Sequence, residues 1–292
     1  MPIKIHRNLK ASDNYRSHIN ELNAKIIGYS NIIKDCIDDF YIEAINDDTT
    51  ILFTDTIAGI YSYNLEYSLD YTFSWYSLDG VDEITLGAGD RLYLRCVRGE
   101  VIKYYADVHI RRFFRVLNYK RINIGGNLHK ATYNHSSVKI KSYSYHNFFL
   151  SLPIVDASSL ILPATTLAER CYELMFQDCS QMVAAPKLPA TTLAEGCYSS
   201  MFTNCGSLIT PIELPATTLV KDCYFRMFYN CVKLTEIRCH ATNIAKDSFT
   251  YRWTYGVSTT GTFYKNPNAA WTRDFNGIPF GWDVVDYNGD IE

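Results

Sequence analysis

The sequence predicts an α+β multidomain protein with an N-terminal helix, a β-sandwich-like domain and a C-terminal repeat solenoid of 26-residue period. Three observations predict it. Apolar residues near the start recur at steps of four and three. The next stretch is cut into short aromatic and β-branched runs by turn residues, and one six-residue string then appears three times at a fixed interval. The expected boundaries are 1–40 for an arm and anchoring helix, 41–145 for an antiparallel β-domain, and 146–292 for the repeats with their cap. At 292 residues, 47% of them apolar, the chain can bury a sizeable core and is not a disordered composition. The formal net charge of −3 supplies no global attraction to nucleic acid. No run approaches the roughly 20 apolar residues of a membrane helix. The opening MPIKIHRNLKASDNYRSHIN lacks the apolar core of a secretory signal. The expectation is a folded protein, not inserted in a membrane and not exported by a signal peptide of its own.

In the N-terminal segment, Tyr15, Ile19, Leu22, Ile26, Tyr29 and Ile33, followed by Cys36, trace the seam of a helix over 13–37. Ser12 or Asp13 is a suitable N-cap. Gly28 weakens the helix by roughly 1 kcal/mol, and Ile27, Ile32 and Ile37 widen the apolar stripe beyond a strict seam. A coiled coil between copies of the chain and a single amphipathic helix packed on a neighbour both fit. Either needs a partner surface, and residues 1–11 would then form an extended arm.

Residues 41–98 contain YIEAI, TTILFTD, YSYNLEYSL, YTFSWYSL and RLYLRCV, separated by DD, AG, DG and GAGD. Runs of this composition bounded by such turns are strands. Charge is unevenly placed here: residues 38–90 hold twelve Asp or Glu and no Lys or Arg, whereas 91–141 hold twelve Lys or Arg and only Glu100 and Asp107. The basic run, with Arg111, Arg112, Arg115, Lys120 and Arg121, suits nucleic acid or an acidic polysaccharide. Alternatively the acidic and basic segments fold against each other.

The repeats are the most specific signal. LPATTL starts at Leu162, Leu188 and Leu214. With it recur Cys171, Cys197 and Cys223, then Cys179, Cys205 and Cys231, and the Met-Phe pairs at 175–176, 201–202 and 227–228. Eroded units flank these. Phe148, Ser151, Ile154 and Leu160 stand roughly in register upstream, and Ser248-Phe249 takes the Cys-Tyr place downstream after a one-residue deletion. Within a unit, Leu167, Cys171, Met175 and Cys179 step by four, predicting a short helix that Thr165 or Thr166 caps and Pro163 stops from extending backwards. Met182–Ala184, Leu208–Thr210 and Leu234–Glu236 are the expected strands, pairing in parallel from unit to unit. The cysteines then read as small buried apolar side chains. Equivalent positions in a ladder point the same way, which suits neither a disulfide nor a metal cage, and no metal site is expected.

The unit LPATTLAxxCYxxMFxxCxxL resembles the BspA-like leucine-rich repeats of Bacteroides surface proteins and of Bacteroides phages, the crAss-like phages included. The likeness covers roughly residues 148–285, and the closing FTYRWTYGVSTTGTFYKNPNAAWTRDFNGIPFGWDV resembles the cap that follows such repeats. Leu65–Asp70, Trp75 and Leu86–Arg95 also resemble a segment found ahead of these repeats. The resemblance implies a leucine-rich-repeat recognition or adhesion surface without catalysis. By analogy with phage fibres it implies a trimer.

No G-x-S-x-G, H-E-x-x-H or P-loop occurs, Gly87-Ala-Gly89 is a turn, and the paired acids Asp38-Asp39 and Asp47-Asp48 are solvated turn residues. No catalytic residue and no cofactor are assigned. At the changing positions of the units lie Glu173, Gln177 and Asp178, then Ser199, Ser200 and Thr203, then Phe225, Arg226 and Tyr229. Such variation fits a solvent face or a ligand face; Phe225, Arg226 and Tyr229 form the most apolar cluster and are the candidate ligand-binding residues. The expected protein is a structural virion component of a Bacteroides phage, a tail or head fibre part that attaches to a host glycan or protein receptor. It would bind other virion proteins through its N-terminal segment. A bacterial cell-surface adhesin is the alternative, and a polysaccharide depolymerase a minor one.

Overall fold

A computed structural model describes residues 3–6, 39–53, 65–69, 74–97, 114–132, 140–244 and 248–287. The expected helix over 13–37, and with it the seam Tyr15, Ile19, Leu22, Ile26, Tyr29 and Ile33, lies outside the described residues.

The front of the chain carries β1 (Ile3–His6), β2 (Phe40–Ala44), β3 (Thr49–Phe53), β4 (Leu65–Ser68), β5 (Tyr76–Ser77), β6 (Val81–Leu86), β7 (Arg91–Cys96), β8 (Phe114–Val116) and β9 (Ile122–Asn127). A five-residue helix α1 (Leu128–Thr132) follows, then β10 (Ile154–Ile161). Two sheets form, in the orders β1-β6-β3-β8 and β10-β9-β2-β7-β4-β5. Alternation drives them: Phe40, Ile42 and Ala44 of β2 are buried, as are Thr49, Ile51 and Phe53 of β3. The sheets meet through aromatic rings. Phe40 of one sheet and Phe114 of the other lie 6.5 Å apart, and Phe149 packs on both at 6.1 and 6.3 Å. Two close ion pairs join the acidic and basic segments, although neither involves the basic run at 111–121, of which Arg111 and Arg112 lie outside the described residues. Glu43 and Arg91 are opposite in the β2–β7 register and paired at 2.5 Å, while Glu66 and Arg95 are opposite in β4–β7 and paired at 2.6 Å.

The expected fold class is overturned. The described residues are strands and turns, and α1 is the only α-helix among them. The predicted helix in each 26-residue unit is absent because the backbone divides its hydrogen bonds. In the first complete unit the amides of Glu173, Met175 and Gln177 reach back three residues to Arg170, Tyr172 and Leu174 at 3.1–3.3 Å. The alternate amides of Tyr172, Leu174, Phe176 and Asp178 instead donate to Cys197, Ser199, Met201 and Thr203 of the next unit at 2.9–3.0 Å. An α-helix keeps all these bonds inside itself. Every fourth residue adopts positive φ, at Arg170 (49°), Leu174 (58°) and Asp178 (62°), and likewise at Gly196, Ser200 and Asn204. The four-residue step in the sequence is therefore the period of a chain of turns. In a helix it would drift by about 40° per step.

The strands are also displaced from their expected places. β11 (Ile212–Leu214), β12 (Glu236–Cys239), β13 (Thr262–Lys265) and β14 (Asp283–Asp286) form one parallel sheet in that order. Leu208–Thr210 precedes β11, Leu234–Glu236 only touches β12, and Met182–Ala184 makes a single bridge, Ala184 to Asp156. The reason is local: the amides of Met182, Leu208 and Leu234 still close turns onto Cys179, Cys205 and Cys231. Thr166, expected as a helix cap, bridges Thr192 in extended backbone.

β10 joins the two regions. It pairs with β9 on one side, and on the other the Val155 carbonyl accepts from Val183 at 2.8 Å. One buried cluster runs through both, so the core is continuous across residue 146. The flanking units are registered differently from expectation. Upstream, Tyr145 and Phe149 stack on Tyr172 and Phe176 at 5.6 and 5.3 Å, so Phe149 takes the place expected for Phe148. Downstream, Tyr224 donates to Phe249 as Tyr198 does to Cys223, so the 26-residue spacing continues with no deletion. There Trp253 replaces two rings, stacking on Tyr224 at 5.9 Å and meeting Phe228 at 6.0 Å, and its Nε1 donates to the Gly277 carbonyl at 2.8 Å. Trp253 is fully buried. Trp253→Ala is expected to destabilise the chain by about 3–5 kcal/mol, measured by urea unfolding; a loss below 1 kcal/mol would contradict its role as the plug of the stack.

Candidate ligand-binding face

Stacking at a fixed interval places like positions in columns. Five of the columns point inward. Tyr145, Tyr172, Tyr198 and Tyr224 stack at 5.6–6.2 Å, and Phe149, Phe176, Phe202 and Phe228 at 5.3–6.0 Å. Met175, Met201 and Met227 are fully buried beside them. The thiols form the remaining two columns. Cys179, Cys205 and Cys231 donate to the carbonyls of Phe149, Phe176 and Phe202 at 3.0–3.1 Å, tying each unit to the one before. The eight cysteines among the described residues are buried thiols. Burial pushes the thiols of Cys171, Cys223 and Cys239 up to about 12 from the usual value near 9.

The columns beside these differ from unit to unit. Glu173 is almost buried, held by Arg170 at 2.8 Å and His146 at 3.1 Å, which makes it an internal anchor. Asp178, Asn204 and Asn230 form a polar ladder with amide-to-oxygen distances of 2.7 and 3.0 Å. These three occupy positive-φ positions, which Asn and Asp tolerate best after glycine. Ser199 and Ser200 are buried, and Thr203 donates to the Arg226 carbonyl.

Phe225, Arg226 and Tyr229 are brought together and extended by residues not picked out from the sequence. Phe225 stacks on Tyr251 at 5.4 Å, Tyr229 on Tyr255 at 5.0 Å, and Tyr255 meets Phe275 edge-on at 4.9 Å. Arg226 lies 5.3 and 5.5 Å from the Phe225 and Tyr229 rings; Arg252 repeats this at 5.4 and 5.8 Å from Tyr251 and Tyr255. Tyr255 is 36% exposed and Phe275 51%. The signal was present: Tyr251, Arg252 and Tyr255 follow Phe225, Arg226 and Tyr229 at 26 residues, but the unit lacks LPATTL. The face offers ring surface, delocalised cations and no nucleophile.

Elsewhere a groove of about 500 Å³ is lined by Pro186, Pro189, Pro211 and Pro215. Proline has no amide to donate, so the sheet cannot extend through it. Its charged rim is Lys187 and Glu213.

No family model, curated protein or solved structure matches the chain. The chemistry of the face rests on its own residues.

The raised thiols favour the folded, protonated state. Their contribution is whole below about pH 9, where an unfolded thiol starts to ionise, and is lost as pH rises toward about 12. The urea midpoint is expected to fall between pH 9 and 11. At pH 8 a disulfide reagent should label the buried eight only after unfolding. A flat midpoint, or rapid labelling of several thiols in the native chain, contradicts the column.

Proposed function

We propose that the chain is a non-catalytic attachment protein whose stacked units hold a recognition face against a glycan or protein of a host cell surface. The observation that carries this reading is the contrast between columns. Inward positions are nearly identical from unit to unit. Positions beside those core columns change to Phe225, Arg226, Tyr229, Tyr251, Arg252 and Tyr255, half-buried to exposed, at the far end of the stack. Rigid aromatic and Arg side chains on an ordered scaffold are what binding surfaces concentrate. The setting we propose is the fibre of a Bacteroides phage particle, supported by the BspA-like resemblance of the LPATTLAxxCYxxMFxxCxxL unit; the N-terminal segment would serve attachment to other virion proteins and self-association.

The test is binding of the labelled full chain to Bacteroides cells. Saturable binding that falls at least tenfold in Tyr229→Ala with Tyr255→Ala is expected, and binding indifferent to both substitutions overturns the reading. Antibody against residues 140–287 should decorate phage particles. Decoration of a bacterial surface in their place overturns the virion setting and favours an adhesin.

A further inference from the structure

The outward face has a property that recognition in general does not require. Arg91, Arg95, Arg170 and Arg238 each sit on a carboxylate at 2.5–2.8 Å. Among the described residues Arg226 and Arg252 have no such partner, and the buried Nε of Arg226 has no hydrogen bond. Both guanidinium groups lie over ring systems, in the same column, one unit apart. Arg252 is exposed and Arg226 half-buried, and a guanidinium over a ring face is still able to donate paired hydrogen bonds to a planar carboxylate through its outer N–H groups.

We propose that Arg226 and Arg252, with Tyr229, Tyr255 and Phe275, bind an acidic polysaccharide, carboxylates on the guanidinium groups and sugar rings against the aromatic surface. This rests on the attachment reading and names its ligand class. Two cations repeated at the unit spacing match a polymer that repeats its own charge. Single-stranded nucleic acid fits less well. It needs ring faces open to bases, whereas here the Tyr229 and Tyr255 rings already lie on each other at 5.0 Å.

The experiment measures binding of the full chain to polygalacturonate, alginate and hyaluronate, to methyl-esterified polygalacturonate, and to oligodeoxythymidylate. At least one polyuronate should bind, weaken at least fivefold from 50 to 300 mM salt, and lose at least tenfold in affinity in Arg226→Gln with Arg252→Gln. The esterified polymer should bind at least tenfold more weakly than its acid form. Salt and esterification are read on the native chain, so the test holds even if the double variant folds poorly. Equal binding of acid and ester, no polyuronate binding, or tighter binding of the oligonucleotide overturns the proposal. If cells are still bound through Tyr229 and Tyr255 while no polyuronate binds, this inference fails and the attachment reading stands. If cells are not bound either, both fail.

Discussion

Every second amide along the chain of turns in a repeat unit donates its hydrogen to the unit that follows, and the rest of the stack depends on this division. Tyr172, Leu174, Phe176 and Asp178 have no carbonyl within their own unit to bond. A unit alone would leave these amides unpaired, each costing about 1–3 kcal/mol if buried. Stacking is thus demanded by the backbone before any side chain is considered. It also explains the positive φ at Leu174 and Arg226, a conformation uncommon in non-glycine residues: the turns that aim alternate amides outward need a left-handed residue every fourth place.

Given that backbone, side chains at like positions must tolerate their own copies a few ångströms away. Flat rings do so by stacking, and one aromatic spine continues from Phe40 through Phe149, Phe176, Phe202 and Phe228 to Trp253 and Trp271. Cysteine does so by being small and by donating across units, as Cys205 does to the Phe176 carbonyl. Asn suits its column because one amide can donate to the next, as Asn230 does to Asn204. The spine also runs through Phe149, where β10 attaches the stack to the front sheets, so the two regions share a single core.

The period and the buried columns were legible in the sequence, because identical residues at 26-residue intervals leave few alternatives. The conformation within the unit was not. Leu167, Cys171, Met175 and Cys179 satisfy a helical pattern nearly as well as a chain of turns, and only the strictness of the step of four, with Cys171-Tyr172 and Met175-Phe176 buried as adjacent pairs, separates them. Strand positions were misplaced because Met182, Leu208 and Leu234 look like strand starters yet close the last turn. In the front domain, strands and turns were recognisable from alternation, but the pairing of β1 and β10 in parallel is set by distant partners and has no local mark. At the candidate site, Phe225, Arg226 and Tyr229 stood out as apolar. Their continuation in Tyr251, Arg252 and Tyr255 was hidden by the loss of LPATTL from the fourth unit.

The stack also constrains charge, and there the Arg226–Arg252 column departs from the rest. Like charges at directly adjacent ladder positions repel. In another outward column Lys221 follows Glu195 and pairs with it at 2.5 Å. Arg226 and Arg252 break that habit by placing two permanent cations in succession. Each guanidinium gains about 0.5–1 kcal/mol over an aromatic face at an exposed site, and a neutral side chain at either position would have placed no charge there. Among the described residues no carboxylate answers Arg226 or Arg252 as Glu195 answers Lys221, which is the condition a surface meets when its partner comes from elsewhere.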